Sequence, residues 1–199
     1  MSATLAIFVS GSGRTLINLA DRIDAGELDA QIGLVVASRE CLGAELARER
    51  GFETRVETGN LDEGAIAGLM GGSKADFAVL AGYLRLVGVP ESMRGRMVNI
   101  HPALLPSFGG RGMYGERVHQ AVLDAGCKVS GCTVHFCDDR YDTGPIIAQR
   151  CCEVRDDDTA AALGARVFEL ETELYPAVIR MLIEGRVHVH GRRTRIAPA

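Results

Sequence analysis

Short apolar runs rich in β-branched residues alternate along this chain with stretches whose apolar residues recur at helical spacing. "LAIFVS" (Leu5 to Ser10) ends in "GSGR" and is followed by Leu16, Leu19, Ala20 and Ile23, three to four residues apart. "QIGLVVAS" (Gln31 to Ser38) precedes the helical "GAELARERG", and a short strand near Glu53 to Glu57 precedes a helix around Asp62 to Met70. "DFAVLAG" (Asp76 to Gly82) and "MVNI" supply a fourth and a fifth strand. A helix is predicted over about Gly115 to Ala125, and "KVSGCTVHFC" and "PIIAQRCCEV" form a strand pair joined by the turn-rich "DDRYDTG". The last element is a long helix from about Thr159 to Glu184, with a stripe of Leu163, Val167, Leu170, Leu174 and Val178. Asp156, Asp157 and Asp158 are expected at its positive N-terminal end. This alternation defines an α/β fold, a Rossmann-like, mainly parallel sheet with helices on both faces.

Length and composition set the boundaries. The 199 residues are enough for a single self-sufficient core. Residues 1–186 are expected to form one domain, and 187–199 a tail with one short strand followed by disorder. The net charge of −4 gives no electrostatic reason to expect a nucleic-acid partner. No apolar run reaches the roughly 18 residues that span a bilayer, so no membrane association is expected. Six cysteines in a chain of this size do not form a disulfide framework, and a reducing cytoplasm is the expected location. Cys127, Cys132, His135 and Cys137 lack the CxxC pairs of zinc sites and are read as buried strand residues, while His188 and His190 are read as surface imidazoles. No metal is expected.

In parallel α/β sheets ligands bind beyond the carboxyl ends of the strands, so function belongs in the loops that follow them. "SGSGRT" opens a helix and can receive an anion on its backbone N–H groups. It is not a Walker loop, since no Gly-Lys-Ser/Thr follows, and Leu16 stands where a dinucleotide fingerprint needs its third glycine. A phosphate clamp aided by Arg14 remains. The second such loop is "MVNIHPALLPSFGG". In extended backbone Asn99 and His101 share a face, and Pro102 and Pro106 stiffen the exit from the strand. An amide donor beside an imidazole suits acyl transfer: one stabilises a developing oxyanion, the other moves a proton. A carboxylate would complete the set, and Asp138, Asp139 and Asp142 all qualify by spacing.

"NIHPALLPSF" (Asn99 to Phe108) together with "GCTVHFCDDRYDTGPII" (Gly131 to Ile147) resembles the folate-dependent formyltransferases, and the likeness runs from "IFVSGSG" to "ELYPAVI". The resemblance implies that Asn99, His101 and Asp142 are the catalytic residues. It implies that Leu84, Arg85, Leu86 and Val87 hold the folate pterin largely through backbone, with Asp138, Asp139, Arg140 and Tyr141 on the other wall. Gly13, Arg14 and Thr15 match the substrate phosphate turn, and Glu171 matches a carboxylate for the substrate amine. The implied reaction moves a formyl group from 10-formyltetrahydrofolate, a co-substrate, to the amine of glycinamide ribonucleotide in purine biosynthesis, with protonated His101 and Asn99 on the oxyanion. Glycines 109, 110 and 112 would allow a mobile cover.

The chain departs from better-known members in carrying Arg14-Thr15 in place of Ser-Asn and in a longer "GGRGMYG" loop. Other amines, such as an amino-sugar nucleotide, or water, as in a formyltetrahydrofolate hydrolase, are the alternative acceptors. Enzymes that formylate initiator tRNA normally carry an extra C-terminal domain and a basic surface, which this sequence does not match. A silent folate- or nucleotide-binding module and a nicotinamide oxidoreductase are the alternatives of other classes. The resemblance leaves a homodimer open.

Overall fold

The computed structural model describes residues 2–198. The chain falls into two compact units, Met1–Asn99 with Cys137–Asp139, and Ile100–Phe136 with Arg140–Ala199.

In the first unit β1 (Ala3–Val9), β2 (Ala30–Ala37), β3 (Thr54–Val56), β4 (Phe77–Leu80) and β5 (Met97–His101, which leaves the unit after Asn99) stand in the order β3-β2-β1-β4-β5. Every pairing among them is parallel. The mainly parallel α/β class expected from the alternation is the one observed. Helices α1 (Arg14–Asp24), α2 (Leu42–Glu49) and α3 (Glu63–Ser73) are the crossovers. Ile66, Leu69 and Met70 of α3 pack on the face made by Ala6, Phe8, Leu34, Val36 and Ala78. The alternate residues Leu5, Ile7, Val9 and Val35 are fully buried too, and α1 and α2 both pack against β2. A strand buried on both faces reads as a continuous apolar run, which explains the composition of "LAIFV" and "GLVVA".

The carboxyl end of β1 shows how tightly the phosphate-type turn is built. Gly13 sits in the left-handed region at φ 74° and caps α1 without a side-chain hydrogen bond. A Cβ there would lie 2.6 Å from the Gly43 Cα, and the Gly43 N–H donates to the Gly11 carbonyl at 2.8 Å. Only glycine meets both demands. Gly13→Ala is therefore expected to cost about 2 kcal/mol or more of stability, read by urea denaturation; a loss below about 0.5 kcal/mol would show that the turn yields.

In the second unit the end of β5 is followed in strand order by β6 (Val129–Phe136) and β7 (Ile146–Glu153), which pair antiparallel. α4 (Glu116–Asp124) and the long α5 (Ala160–Ile183) pack on each other, and α5 lies against β6 and β7. Thr159 accepts from the Ala162 N–H at 3.1 Å, while Asp158 accepts both guanidinium arms of Arg166 at 2.8 Å and is 3 % exposed. That bidentate pair, with the Arg155 N–H, holds the Asp158 carboxyl at about 2. Asp158, directly before the Thr159 cap, thus ties the entry loop to the second turn of the helix. Beyond residue 186, where one strand and a disordered end were expected, the chain forms an antiparallel hairpin of β8 (Val187–His190) and β9 (Arg193–Ile196). His188 and His190 are exposed on it.

Candidate active site

His101 ends β5, and Asn99 precedes it by two residues on the same strand. Asn99 is half-buried and His101 only 3 % exposed. The loop that follows is pinned at two places in the second unit. The buried Thr133 hydroxyl of β6 donates to the Ala103 carbonyl at 2.6 Å and accepts from the Leu105 N–H at 3.0 Å. Gln149 of β7 donates to the Leu105 carbonyl at 3.0 Å and to the Thr133 hydroxyl at 2.9 Å. The chain then passes a cis Leu105–Pro106 bond and reaches Phe108 at φ 56°. The Phe108 carbonyl meets His101 Nε2 at 2.9 Å.

The aspartate that the family likeness named stands beside this histidine. Asp142 Oδ2 lies 3.6 Å from His101 Nδ1, and Asp142 Oδ1 lies 3.6 Å from His135 Nε2. The Gly110 N–H donates to Asp142 Oδ2 at 2.8 Å. Gly109 and Gly110 were expected as freedom for a moving cover. Gly109 also serves close approach, since a Cβ on it would lie 3.2 Å from the Asp142 Cβ and 2.5 Å from Leu105 Cδ2, while Gly110 holds φ 103° in open space. Asp142 itself holds φ 56°, in the left-handed region that aspartate enters more readily than most residues with a side chain.

The charges follow from these contacts. Both ring nitrogens of His101 face oxygens, the pattern an imidazolium prefers. Burial acts the other way and is the largest influence, so His101 titrates below the ordinary imidazole value although Asp142 and the Phe108 carbonyl pull it upward. The expected protonated His101 is thus not the favoured resting form at neutral pH. Burial alone would raise the Asp142 carboxyl. The hydrogen bond with His135, the charge of His101 and the Gly110 N–H outweigh it and hold Asp142 below the usual carboxylate range.

The residues implied for folate divide. Leu86, Val87 and Asp139 line one cleft of ≈ 180 Å³ in the first unit, together with Asn60, Leu61, Asp62 and Gly88. Leu86 is 38 % exposed there, an apolar surface open to a planar ring. Leu84, Arg85 and Asp138 do not line it: the Arg85 guanidinium donates to the Gly59 carbonyl at 2.9 Å, and the Leu84 N–H donates to the Ser10 hydroxyl at 3.0 Å. Arg140 and Tyr141 belong to the second unit. Gly13, Arg14 and Thr15 stand at the start of α1, as the motif required. Glu171 is half-buried on α5. Burial, and then the Glu171 charge, push the Cys132 thiol of β6 up to about 12.

Two histidines escaped the catalytic reading of the sequence. His135 donates its Nδ1–H to the Phe136 carbonyl at 2.8 Å and brings its other nitrogen to within 3.6 Å of Asp142. The signal was present: Thr133 and His135 are polar at i and i+2 in a strand buried from Ser130 onward, and the β6–β7 register shifts between Val134 and His135. His119 of α4 is 5 % exposed, with Nδ1 unpartnered and its ring edge against Gly164 of α5. Burial, and then the charge of His101, lower its basicity. Among the described residues no group of three or more His, Cys, Asp or Glu is placed to hold a metal ion.

A buried carboxylate between two imidazoles, behind a strand-end Asn-x-His, is the equipment of an acyl-group transferase. Residues 3–179 match the formyl transferase family model, and the chain belongs to that family. It is 39 % identical over 192 residues to a chloroplastic phosphoribosylglycinamide formyltransferase of Vigna unguiculata, an alignment that takes in 92 % of this chain and 62 % of that relative. It is 34 % identical to the human trifunctional purine biosynthetic protein adenosine-3, of which it spans 19 %. Among solved structures, glycinamide ribonucleotide transformylase 1 of Symbiobacterium toebii superposes with a TM-score of 0.89 at 34 % identity, over 98 % of this chain and 94 % of that one. Among the described residues no helix is long and apolar enough to cross a membrane.

Proposed function

We propose that this chain transfers the formyl group of 10-formyltetrahydrofolate to the primary amine of glycinamide ribonucleotide, with residues 1–186 acting as one formyltransferase domain. The observation that carries the reading is the Asp142 carboxylate held 3.6 Å from His101 by the Gly110 N–H, in a chain of the formyl transferase family. The relatives named for this reaction support the choice of acceptor.

The substrate amine attacks the formyl carbon, and the carbonyl oxygen gathers negative charge. His101, neutral at rest because it is buried, takes the proton released by the attacking amine and becomes an imidazolium. Asp142 sustains that charge, and Asn99 donates its amide N–H to the oxyanion. The proton then passes to the departing folate nitrogen as its bond to carbon breaks. His101 Nε2 must leave the Phe108 carbonyl to do this, and the glycines at 109, 110 and 112 allow the loop to yield when substrate arrives. Glu171 receives the amine end of the acceptor. Leu86, Val87 and Asp139 receive part of the folate, with Leu84, Arg85, Asp138, Arg140 and Tyr141 assigned to the same side by the family motif alone. Six free thiols suit a reducing compartment such as the cytoplasm.

Arg14 is the first residue of α1, where a cation opposes the helix dipole, an arrangement that suits a helix made to hold an anion. Arg14→Ala is expected to raise KM for glycinamide ribonucleotide about tenfold while kcat stays within about twofold, the pattern of a lost ground-state contact. An unchanged KM would remove Arg14 from the phosphate site. The reading as a whole is tested by following loss of 10-formyltetrahydrofolate with glycinamide ribonucleotide, an amino-sugar nucleotide, or water alone. Turnover with the ribonucleotide is expected; turnover only with another acceptor would keep the chemistry and discard this substrate.

A further inference from the structure

The C-terminal hairpin lies beyond the residues that match the family, yet it grips the turn that carries Asp142. Its base is closed by reciprocal bonds, the Arg186 Nε–H donating to the Ala197 carbonyl and the Ala197 N–H to the Arg186 carbonyl, both at 2.9 Å. Along its flank the half-buried Thr194 hydroxyl donates to the Ile146 carbonyl, at the first residue of β7, at 2.8 Å. At its tip the Arg192 guanidinium donates to the Thr143 carbonyl at 3.2 Å. Thr143 follows Asp142, whose φ of 56° lies in the left-handed region. Gly110 fixes the Asp142 carboxylate, and the hairpin reaches the backbone that follows Asp142. The two hairpin bonds fall on the carbonyls of Thr143 and Ile146, which bracket the exit of that turn.

We propose that Arg192 and Thr194 are positioning residues for the transfer reaction, acting through the Asp142 turn to keep the carboxylate at His101. The inference rests on the functional reading given above. Loss of both contacts lets residues 142–146 relax toward ordinary backbone angles and draws the carboxylate away from the imidazole. His101 then loses part of the attraction that opposes its burial, and its proton is held less firmly.

The test compares wild type with R192A, R192A/T194V and the conservative R192K/T194S. The double variant is expected to lose about fivefold to tenfold in kcat, as for one misaligned charge-assisted contact, with KM for both substrates within about twofold. The His101 titration midpoint, followed by NMR of ¹⁵N-histidine-labelled protein, is expected to move down, and R192K/T194S is expected to restore both readings. A folded double variant with unchanged kcat and an unchanged His101 midpoint would overturn the proposal and leave the hairpin a structural ornament. Should the double variant fail to fold, R192A, altered at an exposed side chain, carries the same two readings: a lowered midpoint upholds the proposal, and an unchanged midpoint with unchanged kcat overturns it. Absence of formyl transfer in the wild type would sink the functional reading instead, and the histidine midpoint would still report the mechanical link.

Discussion

Replacing His101 with alanine is expected to lower kcat for formyl transfer by about three orders of magnitude or more, the loss of both a general base and an oxyanion partner. The imidazole lies 3 % exposed at the end of β5 between the Phe108 carbonyl and Asp142, so alanine also leaves a cavity and an unpaired carbonyl. His101→Gln, which retains an N–H at nearly the same reach, separates chemistry from folding. It is expected to be nearly as inactive as alanine, because an amide cannot carry a proton at neutral pH. Activity within about tenfold of wild type in the glutamine variant would take proton transfer away from His101. Stability supplies an independent reading. Burial sets the folded His101 titration below the unfolded value of about 6.5. Between those two values the unfolded chain binds the extra proton, so this part of the stability is complete above about pH 6.5 and falls away as the pH drops. Urea denaturation at pH 7.5 and 5.5 is expected to show a smaller acid loss in His101→Gln than in wild type, with the contribution of His119 remaining in both. Equal acid losses would mean that His101 is not held neutral in the folded protein.

Asp142→Asn is the second large effect. Asparagine tolerates a φ of 56° as well as aspartate does, and its carbonyl can still accept from the Gly110 N–H. The backbone is therefore kept, and the charge alone is removed. Without that charge His101 loses the main influence that opposes its burial, and the imidazolium formed during the reaction has no counter-ion. A fall of about a thousandfold in kcat is expected, with KM for both substrates much less altered. The sign of the pH effect is opposite in origin to that of histidine but the same in direction. Asp142 titrates below its unfolded value of about 3.9. It contributes stability that is present above that value and lost as the pH falls through the folded one. The asparagine variant is thus expected to be less stable than wild type at neutral pH, with the difference closing in strong acid. A kcat within tenfold of wild type would show that the carboxylate beside His101 is not needed.

Much of this molecule was legible before any coordinates. Each element of the alternating pattern appears within a few residues of its expected place, because the period of apolar residues is a local property that burial on one or both faces enforces. What the local pattern did not show was the bidentate pair of Asp158 with Arg166, in the second turn of the helix. The C-terminal segment was underestimated. The alternation of Val and His in "VHVH" marks one short strand, but the polar "GRRTR" that follows has no such pattern, and the hairpin makes bonds to Thr143 and Ile146 that its own sequence does not announce.

By itself the sequence determined the α/β class, the place of the glycine turn before α1, and the pairing of Asn99 with His101 on one strand. All three depend on neighbours one to four residues apart. Spacing left Asp138, Asp139 and Asp142 open and only the family likeness pointed to Asp142; the tertiary structure places its carboxylate 3.6 Å from His101 and puts His135 on its other oxygen. The Gly110 N–H that fixes this carboxylate lies 32 residues away in the chain, and a register shift in β6–β7 aims His135. Contacts across such distances are set by how strands and loops pack, and spacing along the chain carries no record of them.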